Sequence, residues 1–211
     1  MRGHLRTGRD PIASAASLVG PPACSGCRRR VGILCPTCRA SIRPAGSSPV
    51  PAPISRVIAA WRYEGAARSL ILDLKVRGLR PAAVPLADAM ARAVWASGLE
   101  GSVVTWVPGH PPDERRRGFD HAHLLARRLA ARLGLPLAEL LYRTGDARDQ
   151  VGLDAAERRR NLEGAFASRP APDVVVLVDD VFTTGATARS CAKALVGAGA
   201  SSVEVVVACL A

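Results

Sequence analysis

The sequence predicts an α/β protein: a parallel sheet with helices on both faces, preceded by a small cysteine-rich module. Three observations predict it. Short apolar runs (VIAAWRY at 57–63, SVVTWVP at 102–108, VVVLV at 174–178 and VEVVVACL at 203–210) are separated by segments of helical period. The runs are mainly apolar without strict alternation, the pattern of strands buried on both faces in a parallel sheet. Four of the six cysteines fall within residues 24–38. A chain of 211 residues, 48% hydrophobic, holds one such domain and a small appendage, and is too apolar to be disordered throughout.

Residues 1–20 carry basic residues followed by small ones. The apolar part is weak, preceded by Asp10, broken by serines and closed by Pro21-Pro22, which argues against a signal peptide. We expect a flexible leader in a soluble, cytoplasmic protein. No apolar stretch approaches the ~20 residues needed to cross a bilayer, so no membrane insertion is expected. The net charge of +11 is uneven: residues 1–43 hold eight arginines and one acid, a net +7, and the remainder +4. With 27 arginines against two lysines, a solvated basic face is the simpler reading of this excess. The basic end would also suit single-stranded DNA or a DNA-processing protein.

Within residues 21–43, CSGCRRRVGILCPTC sets Cys24-x2-Cys27 seven residues before Cys35-x2-Cys38. Two such knuckles can offer four thiolates to one tetrahedral zinc ion, and nearby arginines favour the thiolate form. A redox dithiol or two disulfides are the alternatives. With all four ligands from protein, zinc here would be structural. A Pro/Ser-rich linker follows at 44–56, and 57–211 form the main domain. Cys191 and Cys209 read as plain core residues.

In the main domain the first strand leads to a helix from Gly65 ending at Gly78 and a second at 82–97. The strand 102–108 stops at Pro108-Gly109. GHPPDERRRG is expected to be a charged loop, and a helix at 119–133 places Leu125, Leu129 and Leu133 on one face. After another loop, the strand from Val174 is expected to end at Val178. Asp179 and Asp180 follow, then a Thr/Gly turn and a helix from about Thr187 to Val196.

Adjacent carboxylates repel and do not pack a core, so this pair needs a chemical reason. The turn Thr183, Thr184, Gly185, Ala186, Thr187 opens a helix, where outward N–H groups and hydroxyls suit a phosphate dianion. No lysine follows as in a nucleotide-triphosphate loop. A ribose 5-phosphate fits the whole run: phosphate in the turn, vicinal hydroxyls on Asp179 and Asp180, and magnesium nearby.

VVVLVDDVFTTGAT resembles the phosphoribosyl diphosphate signature of type I phosphoribosyltransferases. YEGAARSLILDLKVRG, VPGHPPDERRRGFDHAHLLARRLA and QVGLDAAERRRNLEGAF resemble the ComF (GntX-like) branch, in which a double CxxC also occurs. Asp120-His121 stands where that branch has Asn-Gln. The resemblance implies binding of phosphoribosyl diphosphate with Mg²⁺ and transfer of phosphoribosyl to a nitrogen acceptor. It implies a link to competence and DNA uptake as well. The same fold would also serve as a non-catalytic, ligand-sensing or DNA-handling module, and a homodimer is left open. By motif position, Asp179, Asp180 and Arg158 are the implied catalytic residues. Thr183 to Thr187, Pro108 and Arg117 are the implied ligand contacts, and Gln150 to Asn161 the implied hood over the site.

Overall fold

The computed structural model describes residues 20–144 and 164–211. The α/β, parallel-sheet architecture is the one expected. After a short helix α1 (Pro36–Ala40), the chain runs β1 (Arg56–Arg62), α2 (Gly65–Lys75), a 3₁₀ turn (Arg80–Ala82), α3 (Ala83–Ser97), β2 (Val103–Trp106), α4 (Pro111–Arg117) and α5 (His121–Leu133). It continues through β3 (Leu141–Arg143), β4 (Phe166–Ser168), β5 (Val174–Phe182), α6 (Ala186–Gly197) and β6 (Ser202–Leu210). The sheet order is β1-β6-β5-β2, every pairing parallel.

Strand period two divides the core. Val176 and Val178 of β5 face one cluster with Leu70, Ile71 and Leu74 of α2, Met90 of α3, and Leu125 and Leu129 of α5. Val175 and Leu177 face the other, with Cys191, Ala192 and Leu195 of α6. Each fully buried leucine contributes about 1.5–3 kcal/mol relative to exposure. The expected leucine face of α5 is therefore real, and Cys191 and Cys209 are both wholly buried core residues.

Four local differences from the sequence reading have plain causes. The charged stretch after Pro108 is not a loop but α4: prolines suit a first helical turn, Asp113 and Glu114 sit at its positive end, and Arg115–Arg117 at its negative end. Gly118 closes it in the left-handed conformation (φ 73°). Strand β5 does not end at Val178; pairing with β6 carries it through both acids to Phe182. The antiparallel pair β3–β4, three residues each, was not foreseen because the strands are too short to show a period. Helix α2 stops at Lys75, three residues before Gly78.

Residues 44–56 lie along the sheet edge, with Pro44 bridged to Trp61 and Ile54 buried. The cysteine-rich module sits against α2: Leu34 joins the α2 core cluster, and Arg28 reaches the wholly buried Asp73 at 2.9 Å. Arg77 binds the same carboxylate from the other side.

Candidate functional site

Carrying β5 on beyond Val178 fixes where its acids point. Asp180 has the parity of Val176 and Val178 and faces α2 and α5; Asp179 has the parity of Val175 and Leu177 and faces α6. Asp180 is 2% exposed, with Lys75 Nζ at 3.0 Å from Oδ2 and 3.3 Å from Oδ1, and His121 Nε2 at 3.5 Å. Asp179 is half-buried and borders the cavities on both sides.

One cavity is a cleft of about 450 Å³, lined by Tyr63, Lys75, Pro108, Arg117, Arg143 and both acids, among others. The other, about 60 Å³, is the turn itself: Thr183, Thr184, Gly185, Ala186 and Thr187 line it together with Asp179. Gly185 makes this turn possible. Its φ is 71°, and a Cβ there would meet the Phe182 ring at 2.5 Å. Gly185 also caps α6, so the helix opens at the floor of the small cavity.

The acids are electrostatically unequal. Burial first, and then the charge of Asp180, push the Asp179 carboxyl well above the ordinary range. Burial opposes ionisation of Asp180 as well, but the His121 contact and the Lys75 ammonium outweigh it and hold Asp180 below the usual carboxylate range.

The residues around the pair explain much of the motif content. Asp120 accepts hydrogen bonds from the Ala122 and His123 N–H groups as the N-cap of α5, and from Gly109 N–H at 3.3 Å. Either Asp or Asn can do this. His121 is buried against Asp180. Arg117 donates to the Lys75 carbonyl at 3.2 Å and lines the cleft, whereas Arg115 and Arg116 are exposed. Phe119 lies under the Arg80 guanidinium, 4.8 Å from ring centroid to carbon. Arg143, in no motif, donates to the Gly109 carbonyl at 2.9 Å and fixes the turn after β2. Lys75 and His121 are site residues assigned no role from sequence, although both lie within stretches that carry the ComF resemblance and Lys75 is one of two lysines in an arginine-rich chain. Arg158 and the Gln150–Asn161 stretch lie outside the described residues.

The four module cysteines are free thiols whose sulfurs lie within 4.8 Å of one another. A tetrahedron with bonds of about 2.3 Å has sulfur–sulfur edges of about 3.8 Å. Cys27 and Cys35 Sγ are 3.8 Å apart. Backbone N–H groups of Cys35 and Cys38 donate to the sulfurs of Cys24 and Cys35, at 3.3 and 3.4 Å. Gly26 is required between them, since a Cβ would meet Cys38 Sγ at 2.7 Å. Hydrogen bonding from Arg29 brings the Cys27 thiol down to about 6, while the crowd of neighbouring sulfurs, Cys35 foremost, pushes Cys38 up to about 12. A dication relieves that crowding. The donor set fits zinc, and the four cysteines can hold a metal ion.

Comparison with known proteins places the chain. It is 32% identical over 202 residues to DNA utilization protein YhgH of Salmonella typhi, covering 86% of this chain and 87% of that protein. With YhgH of Escherichia coli K12 it shares 32% over 196 residues, 86% of each. With competence protein F of Haemophilus influenzae it shares 36% over 96 residues, which is 43% of this chain and only 42% of that protein. The chain therefore belongs to the ComF family. No protein-family model matches it. Among solved structures it resembles the glutamine phosphoribosylpyrophosphate amidotransferase of B. subtilis (24% identity, 62% of this chain, 26% of that one, TM-score 0.44). It also resembles the adenine phosphoribosyltransferase of Leishmania tarentolae (21%, 59% and 54%, TM-score 0.35). Likenesses of this strength carry no inference about activity. No helix among the described residues is long and apolar enough to cross a membrane.

Two outcomes follow from this geometry. Metal analysis of gently purified protein should find about one zinc per chain, lost on replacing Cys27 and Cys38 by serine; below half an equivalent, the dithiol reading prevails. The second concerns pH. Because the folded state raises the Asp179 pKa above its unfolded value of about 3.9, its contribution is favourable below that pH and lost as pH rises through the folded value. Asp180 runs oppositely, its contribution present above the unfolded value and lost as pH falls through the folded one. Asp179→Asn should therefore raise Tm at pH 7, by about 2–4 °C for each kcal/mol relieved, and leave it unchanged at pH 3. Calorimetry showing a lower Tm at pH 7 contradicts this electrostatic assignment.

Proposed function

We propose that the cleft binds phosphoribosyl diphosphate and supports transfer of its phosphoribosyl group to a nitrogen acceptor. The observation that carries this reading is the shared wall: Asp179 borders both the 60 Å³ Thr/Gly cavity and the 450 Å³ cleft. A ligand with a monophosphate at one end and hydroxyls a few bonds away spans those two spaces. The 5-phosphate would sit on the Thr183–Thr187 turn at the opening of α6, where N–H groups and hydroxyls donate. The ribose hydroxyls would donate to Asp179, the more accessible acid, and beyond it to Asp180. The diphosphate would lie along the turn from Pro108 toward Arg117 and Lys75.

As the bond from C1 to the diphosphate oxygen breaks, positive charge grows on the sugar and negative charge on the leaving group. Arg117 and Lys75 stand where they would stabilise the departing diphosphate, and the Asp179 carboxylate where it favours the cationic ring. The bond forming at C1 is to the acceptor nitrogen, which gives up a proton. Oxygen donors at Asp179 and on the diphosphate suit Mg²⁺, which when bound would neutralise leaving-group charge. Thr183 stands where hypoxanthine–guanine enzymes normally place an acid, which argues against 6-oxopurines as acceptors.

The names of the relatives support a setting in competence and use of DNA. The exposed arginines of the cysteine module that are not committed to Asp73, Arg29, Arg30, Arg39 and Arg43, support contact with single-stranded DNA there. Gel shifts across a salt series should show affinity falling as salt rises, and falling again when these arginines become alanine. Affinity indifferent to both removes the basic-module reading.

For the cleft, calorimetry with phosphoribosyl diphosphate and Mg²⁺ should show binding that Asp179→Asn with Asp180→Asn weakens about 10–100-fold, the loss typical of hydrogen bonds to charged groups. Pyrophosphate release should appear with the right nitrogen acceptor. Equal affinity in the double variant contradicts the sugar site.

A further inference from the structure

His121, Asp179 and Asp180 each present one donor atom within 4.8 Å of the others, an arrangement that can collect a divalent cation. Two of these groups are almost wholly buried, and His121 Nδ1 has no hydrogen-bond partner among the described residues. Unlike an ordinary carboxylate metal site, this one already has a cation. Lys75 Nζ lies against both oxygens of Asp180, at 3.0 and 3.3 Å.

Lys75 is placed to do this and to let go. It is the last residue of α2, and its own carbonyl is held by Arg117, so the backbone end of the side chain is fixed. The rest of the side chain is 45% exposed and borders the cleft beside Arg117. The charges facing it are Asp180 and Asp179, which attract it, and Arg117, which repels it. An ammonium so placed excludes a dication from Asp180 by like-charge repulsion, yet can turn toward an anion entering the cleft.

We propose that Lys75 is the resident counter-ion of the cleft: it keeps His121, Asp179 and Asp180 from collecting a free divalent cation, and leaves Asp180 only when a diphosphate takes up its ammonium. Lys75 is thus a specificity-determining residue. The hand-over half of this proposal rests on the phosphoribosyl diphosphate reading of the cleft; the counter-ion half does not.

The test uses the full, zinc-loaded chain and two probes, Mn²⁺ alone followed by electron paramagnetic resonance, and inorganic pyrophosphate followed by calorimetry. Lys75→Met should bind Mn²⁺ about tenfold more tightly than the unaltered protein, from removal of the repelling charge. Lys75→Arg should keep the cation excluded, and adding Asp180→Asn to Lys75→Met should abolish the gain. Pyrophosphate should bind Lys75→Met about fivefold more weakly, for loss of a charged donor. Mn²⁺ affinity unchanged in Lys75→Met overturns the proposal, as does tight Mn²⁺ binding by the unaltered protein. If Lys75→Met gains Mn²⁺ but neither protein binds pyrophosphate, the counter-ion stands and the diphosphate reading falls with the hand-over.

Discussion

A β-strand turns each successive side chain to the opposite face, and in this protein strand β5 keeps that rule through its two acidic residues. Pairing with β6 through Asp179 and on to Phe182 holds the backbone extended, so the neighbouring carboxylates leave the strand on opposite faces, although one oxygen of each still lies within 4.8 Å of the other. One is sent toward α2 and α5, where Lys75 and His121 wait, and the other toward the mouth of α6. The repulsion expected of adjacent acids is met in this way. One acid is compensated by direct contact inside the fold, and the other, which makes no ion pair among the described residues, stands at the edge of two cavities.

Everything else near the site serves to keep the surrounding loops at the carboxyl ends of β5 and β2, where open α/β sheets place ligands. Asp120 caps α5 and ties the turn after β2 to it. Arg143 pulls on the same turn from β3, and Arg117 reaches from α4 to the end of α2. The cysteine-rich module joins this assembly through Asp73. A wholly buried carboxylate held by Arg28 from the module and Arg77 from α2 lies two residues before Lys75. The Ser25 hydroxyl and the two guanidiniums offset the cost of burying that charge and hold Asp73 below the usual carboxylate range.

Much of this was legible in the sequence, for reasons that can be named. The four apolar runs became the four strands of the sheet because continuous apolarity reports burial on both faces, and Leu125 and Leu129 fell on the buried face of α5 because helical period reports packing. The cysteines converge because their spacing leaves little else for the chain to do. What was not legible depends on tertiary pairing or on charge. The end of β5 is set by β6, which no local pattern encodes. Helix α4 was hidden by charge that reads as loop but in fact complements the helix dipole at both ends. His121 and Lys75 look unremarkable in isolation. Only the fold brings them, from two helices, onto one carboxylate.

The claim on which the rest turns is that Asp179 divides a phosphate pocket from a sugar cleft. The most direct measurement is a crystal structure of the protein with ribose 5-phosphate. The expected result is a phosphate held by the N–H groups and hydroxyls of Thr183–Thr187, with at least one ribose hydroxyl within hydrogen-bond distance of the Asp179 carboxylate. A sugar phosphate seated elsewhere, or seated in the turn with its hydroxyls pointing away from Asp179, would contradict it.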